Sequence, residues 1–260
     1  RKRVRTVLTL LAVVVPFALF GLLHGFTAAI DGIVDAMSDT RLRTMSRVNI
    51  TQPLPLAHRA RMQTVPGVDE VSYYNFFAGY YQDRSNGVQV GAIDVASFNV
   101  VYPDIQMEPR YVVALLRTRN GGLFGEDPPA EQGWKIGDRI PLGSAVWTRK
   151  DGAESWDFEI VGSYRSPSGK VPTNELWINY DYFDEARAAA NGTVTLYFLK
   201  IHDSGSAATI SEKVDALFAN STFETQTQSE KDWLRAQIAQ IGDIGSFVNA
   251  IIAAVMFALL

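Results

Sequence analysis

His24, His58 and His202 are the chain's only imidazoles, and no cysteine accompanies them. A zinc or di-iron centre draws its ligands from groups spaced a few residues apart on one element. These three are scattered, none in a ligand-spaced pair with another, so no metal site is expected. The absence of cysteine excludes a disulfide framework and thiolate ligands together. A phosphate-cradling loop requires Gly, four residues, then Gly-Lys-Ser/Thr. Gly169-Lys170 has Tyr164 five positions before the glycine and Val171 after the lysine, so it cannot serve. There is no Gly-x-Ser-x-Gly elbow to expose a nucleophilic serine. The adjacent acids Asp69-Glu70, Glu126-Asp127 and Asp184-Glu185 lie beside turns or on expected helix faces, where such pairs are solvated surface and not a tuned acid/base dyad. The residues therefore predict a protein that is not an enzyme and carries no cofactor of its own.

Two further patterns are read as structural. Tyr73, Tyr74, Phe76, Phe77, Tyr80 and Tyr81 could line a groove for apolar or peptide cargo. Near-continuous hydrophobicity is also what a strand buried on both faces looks like, and that reading is preferred. Sequons at Asn49, Asn191 and Asn220 matter only in a glycosylating compartment. The 24 basic and 28 acidic residues give a net charge of -4, with no basic patch beyond the N-terminus, which argues against a phosphate-backbone partner.

The elements that frame these residues begin with Thr6 to Ile30, a stretch without charge. It comes after Arg1, Lys2, Arg3 and Arg5 and runs into Asp31, Asp35 and Asp39. At a rise of about 1.5 Å per residue, roughly 20 apolar residues cross a bilayer's hydrocarbon. The charge asymmetry places the N-terminus in the cytoplasm and the chain beyond Ile30 on the far side. A cleaved signal peptide competes with this reading, but the run is about twice the usual apolar core of one. Pro16 would bend the helix, and His24 near the outer end is read as a ring reaching toward water. A second uncharged stretch, Gly245 to Leu260, is too short to cross alone. It is read as the start of a second span, and the chain, which opens at Arg1, as a piece of a longer protein.

Between the spans, Ile30, Ile33, Val34, Met37 and Leu42 recur at helical spacing, and Leu234, Ile238, Ile241 and Val248 do so on the return side. Both stripes need a partner. The expected solution packs them together as stalks that continue the membrane helices; the alternative is two unrelated surface helices. Ile33, Met37, Leu234, Ile238 and Ile241 are the candidate coupling residues.

The rest is large enough to bury its own core or to divide in two. Arg47 to Gln52 reads as a first strand, and Leu56 to Val65 as a helix stopped by Pro66-Gly67. Val68 to Asp83 reads as strand, with Ser85-Asn86-Gly87 as a hairpin turn into Val88, Val90 and Ile93. Glu108 to Arg119 reads as a helix followed by a loop at Asn120-Gly121-Gly122. Further strands are predicted at Arg139 to Leu142, Asp157 to Ser163, Glu175 to Asn179 and Val194 to Ile201. Helices are predicted at Tyr182 to Ala190 and Ala207 to Asn220.

Four blocks then carry a family resemblance. They are Arg-Lys-Arg-Val-Arg-Thr-Val-Leu-Thr-Leu-Leu (Arg1 to Leu11), Val-Pro-Gly-Val-Asp-Glu-Val-Ser (Val65 to Ser72), Gly-Trp-Lys-Ile-Gly-Asp-Arg-Ile (Gly133 to Ile140) and Phe-Glu-Ile-Val-Gly (Phe158 to Gly162). In this order they resemble the MacB/FtsX-type permeases of ABC transporters, covering the first span and the MacB-like periplasmic core. The resemblance implies a four-span subunit of the bacterial inner membrane that works as a dimer. In such permeases ATP hydrolysis by a cytoplasmic ABC ATPase moves helices, and the outer domain drives export or extraction of a cargo. It also implies a second permease protomer, homo- or heterodimeric, and room for a periplasmic adaptor or outer-membrane channel.

The expected fold is an α+β extracytoplasmic domain of two subdomains between two transmembrane helices with stalk extensions. The boundaries are 1–30 for the first transmembrane helix, 31–46 for a stalk helix, 47–226 for the MacB-like core, 227–244 for a second stalk and 245–260 for the start of the second transmembrane helix. The alternative from another class is a two-span sensor, of chemoreceptor or histidine kinase type, whose ectodomain binds a small ligand. A membrane-tethered enzyme comes third.

Overall fold

A computed structural model describes residues 37–126, 133–169 and 171–239, with scattered positions between 14 and 34. The expected first span lies largely outside the described residues, and the expected second span lies wholly outside them. Among the described residues no helix is long and apolar enough to cross a membrane.

Residues Asp39–Ser229 form one compact unit. In chain order it contains β1 (Arg41–Ser46), β2 (Leu54–Pro55), α1 (His58–Met62), β3 (Val68–Phe76), β4 (Gly79–Tyr81), β5 (Gly87–Val88) and β6 (Val90–Ile93). Then come α2 (Val95–Val101), β7 (Gln106–Met107), α3 (Pro109–Arg117), β8 (Gly121–Gly125), β9 (Arg139–Ser144), β10 (Ser155–Arg165) and β11 (Leu176–Asn179). The unit closes with α4 (Tyr180–Ala186), β12 (Thr193–Val194), β13 (Leu196–Ile201), α5 (Ala207–Phe218) and β14 (Thr225–Ser229). A separate unit holds the flanks, whose described part includes a helix at 230–239.

One sheet runs through the whole unit in the order β14-β1-β13-β3-β6-β11-β8-β10-β9-β4-β5, with β7 added beside β10. Its first four strands are antiparallel throughout. With α1 after β1 and α5 after β13 they make two β-α-β halves in the ferredoxin-like order. Residues 77–195 are inserted between β3 and β13. The inserted strands close on themselves, because β3 pairs with β6 while β4, its continuation past the left-handed residue Ala78 (φ 52), pairs with β9. Inside this ring Phe77 meets the rings of Trp156, Phe158 and Phe183 edge-on, at 5.3, 5.6 and 6.0 Å between centroids. Where two subdomains were expected, Asp39–Ser229 is one compact unit whose two halves share β3.

Local sequence explains most elements. β10 buries Trp156, Phe158, Ile160, Gly162 and Tyr164 in strict alternation, the period of a strand. Gly162 is required there, because a Cβ would sit 2.3 Å from the Tyr111 ring of α3. Pro109 opens α3, where a missing N–H costs nothing. α5 buries Ile210, Val214 and Phe218 one turn apart. Asn179 caps α4 by accepting from the Asp181 amide at 2.9 Å. The aromatic run is core, as preferred: Tyr73, Tyr74 and Phe77 are buried, and only Phe76 is well exposed, at 41%.

Several expectations change. The stalk does not continue as a helix to residue 46, since Arg41–Ser46 is β1 and alternates at period two, Leu42 and Thr44 toward one face and Arg41 and Arg43 toward the other. The strand expected at 47–52 is instead a turn, in which the Asn49 side chain accepts from the Thr51 and Gln52 amides at 2.9 and 2.8 Å. Residues 227–229, expected to open a return stalk, are strand instead, since Thr225–Ser229 pairs with β1 and the helix after it starts at 230. The domain therefore spans Asp39–Ser229 and not 47–226. Gly121-Gly122, expected as a loop, belongs to β8, a central strand whose neighbours leave little room for side chains: a Cβ on Gly125 would fall 1.9 Å from the Thr173 carbonyl oxygen. α2 is an addition to the expected elements.

Candidate functional site

The chain enters the domain on β1 and leaves it on β14, and these strands are hydrogen-bonded neighbours, with Leu42 opposite Ser229. Both flanking segments therefore attach at one place. β1 is central, paired with β13 on its other side, whereas β14 is an edge of the sheet.

Side chains fasten this strand pair to both faces of the sheet. On one face, Thr44 and Thr227 share a hydroxyl hydrogen bond of 2.9 Å across the strands. The Asp215 carboxylate of α5 accepts from the Thr227 amide at 2.9 Å and from the Thr227 and Thr225 hydroxyls at 2.7 and 2.8 Å. Asp215 thus holds the edge strand to the helix behind it. On the other face, Arg41 ion-pairs with Asp104 at 2.8 Å, with its guanidinium 4.5 Å from the centre of the Tyr102 ring at the end of α2. Arg43 lies 5.2 Å over Phe198.

From there α2 bridges to the ring. Ser97 donates to Ser72 of β3 at 2.9 Å, and Phe98 packs edge-on against Trp177 of β11 at 5.0 Å. Beneath it the half-buried Glu175 carboxylate accepts from the Tyr74 hydroxyl and, at 2.9 Å, from the Trp177 indole N–H. Tyr164 stacks on Trp177 at 3.5 Å and donates to the Glu175 carbonyl at 2.9 Å. Burial raises the Glu175 pKa above the ordinary carboxylate range, against the hydrogen bonds of Tyr74 and Trp177 and the charge of Arg43, which lower it. Burial, and then Glu175 itself, raises that of Tyr74. A line of fixed contacts thus runs from β1 through α2 and β3 into the inserted ring.

The domain resembles known structures in its fold. No family model and no curated protein matches the chain by sequence. The periplasmic region of MacB from Actinobacillus actinomycetemcomitans aligns with a TM-score of 0.50 at 8% identity, over 79% of this chain and 95% of that one. The domain has the fold of the MacB periplasmic region. The extracellular domain of the noncanonic ABC-type transporter YknZ from Gram-positive bacteria aligns at 0.46 and 9% identity, over 73% of this chain and 100% of that one. A domain assigned to a permease protein of Porphyromonas gingivalis aligns at 0.47 and 10%, over 74% and 90%.

Within this MacB-like fold the residues singled out by chemistry stand apart. His58 lies in α1, stacked 3.9 Å from Phe218, and His202 comes just after β13, 3.9 Å from Asp69. Asp184 pairs with the buried Arg187, Glu185 with Arg119, and Glu70 with Arg59. Among the described residues no group of three or more metal-ligating side chains could hold an ion. Of the coupling candidates, Leu234 and Ile238 lie four apart and half-buried on the helix at 230–239, and Met37 sits on a bend whose amide donates to the Val34 carbonyl at 3.1 Å. Ile33 and Ile241 lie outside the described residues.

Sequence reasoning missed Arg41, Asp215 and Glu175. The alternation of Arg41 and Arg43 with Leu42 and Thr44 was the available signal for the first. Nothing local marks Glu175, whose partner Tyr74 is 101 residues away.

Proposed function

We propose that this chain is the extracytoplasmic domain and adjoining membrane segments of an ABC transporter permease. A cytoplasmic ABC ATPase binds and hydrolyses ATP, the membrane helices move, and the flanks pass that displacement to β1 and β14. The domain then drives export or extraction of a cargo, working with a second permease protomer and, in some assemblies, with a periplasmic adaptor or outer-membrane channel. The chain itself holds no cofactor and performs no catalysis.

The observation that carries this reading is the attachment of both flanks to one hydrogen-bonded strand pair, itself tied to α5 and α2. A push on either flank acts on fixed, packed contacts, and packed elements shift between discrete arrangements instead of deforming smoothly. The MacB-like fold supports the same reading. The coupling face is assigned to Met37, Leu234 and Ile238, with Ile33 and Ile241 continuing it by spacing.

These 260 residues hold no cysteine, so one introduced at Val146, which is 64% exposed, gives this domain a single thiol for a membrane-impermeant maleimide. With the protein in its native membrane, labelling from outside the cytoplasmic membrane is expected. Labelling only after the membrane is opened would overturn the reading.

A further inference from the structure

Asparagine is followed by glycine at three places, Asn86-Gly87, Asn120-Gly121 and Asn191-Gly192. In such a pair the glycine amide nitrogen can attack the carbonyl carbon of the asparagine side chain, because glycine has no Cβ to block the approach or to restrict the backbone turn it needs. The reaction is open only where that nitrogen is not already engaged and the backbone around it can move.

Two of the three pairs are locked. The Gly121 amide donates to the Thr118 carbonyl at 2.8 Å, Asn120 Nδ2 donates to the Asp157 carbonyl at 2.9 Å, and the buried Gly121 lies in β8, inside the sheet. The Gly192 amide donates to both oxygens of the Asp184 carboxylate, at 2.9 and 3.0 Å. Asn191 Nδ2 donates to the Asp184 carbonyl and, at 3.2 Å, to the Arg187 carbonyl. In both pairs the attacking nitrogen and the side chain it would attack are held.

Asn86-Gly87 differs in its nucleophile. It joins the turn at 82–85 to β5, the strand at the far end of the sheet order. The Tyr81 amide donates to the Asn86 carbonyl at 2.9 Å, and Tyr80 stands opposite Gly87. Hydrogen-bonded and non-hydrogen-bonded pairs alternate along an antiparallel ladder, so the Gly87 amide points away from β4. Gly87 is exposed, and no atom beyond its chain neighbours lies within 4 Å of the place a Cβ would take.

We propose that Asn86 is a site of spontaneous covalent modification, deamidation through a cyclic imide. The Gly87 nitrogen gives its proton to hydroxide and bonds to Asn86 Cγ, the Cγ–Nδ2 bond breaks, and Nδ2 leaves as ammonia with a proton taken from water. A second water opens the imide. Cleavage of the bond to Cγ leaves aspartate in an unaltered backbone, and cleavage of the bond to the main-chain carbonyl carbon leaves isoaspartate, whose backbone runs through Cβ and Cγ. Water and hydroxide are the only co-reactants, and nothing is oxidised or reduced. Either product puts a carboxylate on the hairpin, and isoaspartate also takes the carbonyl that Tyr81 uses out of the main chain, which loosens the pairing of β4 with β5. The site is independent of the transport reading.

The test is incubation of the full chain in neutral detergent at mildly alkaline pH, folded in one arm and in guanidinium chloride in the other, with peptide mass spectrometry of all three pairs. In the folded chain Asn86 is expected to convert at least tenfold faster than Asn120 and Asn191, which react only from locally opened states. In denaturant the three rates are expected to converge, since each is then an asparagine before a glycine in an unfolded chain. Gly87→Ala, whose added Cβ meets nothing in the fold, is expected to slow conversion of Asn86 at least fivefold with the melting temperature unchanged. Equal rates at the three pairs in the folded chain, a ratio that persists in denaturant, or no slowing in Gly87→Ala would overturn the proposal.

Discussion

Arg41, the first residue of β1, puts a guanidinium onto Asp104 and Tyr102, and Asp215 gathers three donors from β14. Neither resembles a functional residue in sequence, because Arg41 depends on Asp104, 63 residues on, and Asp215 on a strand that only the folded sheet brings against its helix. Two titratable groups, the buried His58 and the half-buried Glu175, make the residue scale testable. Burial, and then the charge of Arg61, lower the His58 pKa to about 4 from 6.5. The unfolded chain therefore takes up a proton before the folded one, and stability falls as pH drops through 6.5 toward 4. On the order of 1–2 kcal/mol should be lost between pH 7.5 and pH 5 from this group. Glu175 works with the opposite sign. Its folded-state pKa lies above the unfolded value, so its contribution favours the fold at low pH and is lost as pH rises through the folded pKa. Urea midpoints across this range should show a shallower acid loss in His58→Phe, which keeps a ring on Phe218, and a steeper one in Glu175→Gln.

At the scale of elements, legibility tracks the period of the side chains. β10 alternates without interruption and matches its expected bounds within a few residues, as do α5, whose buried positions recur each turn, and α3, where the half-buried Tyr111 precedes the buried Leu115 by one turn. β1 reads as stalk because Leu42 continues the apolar spacing of Ile30, Ile33, Val34 and Met37, while the alternation that marks it as strand spans only six residues. β8 reads as a loop because its glycines answer to the close approach of Thr118 and Thr173, which no local pattern announces. α2 is only seven residues long, and its N-cap residue Asp94 takes the Ser97 hydroxyl at 2.6 Å and no backbone amide, so little beyond that one residue marks its start. The β14–α5 link, equally invisible in sequence, is the element-scale prediction. Asp215→Ala strands the Thr227 amide and two hydroxyls, and should cost about 1–3 kcal/mol by denaturant unfolding. Amide exchange should quicken at Thr225–Ser229 before the inserted ring is affected.

At the scale of the molecule, the resemblance drawn from four short blocks points to the fold that the domain has, that of the MacB periplasmic region. The blocks could not convey that the two halves share β3, because that sharing rests on strand pairings more than a hundred residues apart, such as Phe198 with Ser72. It joins a half that receives both flanks to the inserted ring. The most direct test of the lever is the cargo moved per ATP hydrolysed, measured for the complete transporter with Leu234→Asp/Ile238→Asp. The account expects ATP hydrolysis to persist, the subunit to remain folded, and cargo movement to fall at least tenfold. Full cargo movement per ATP in that variant would contradict it.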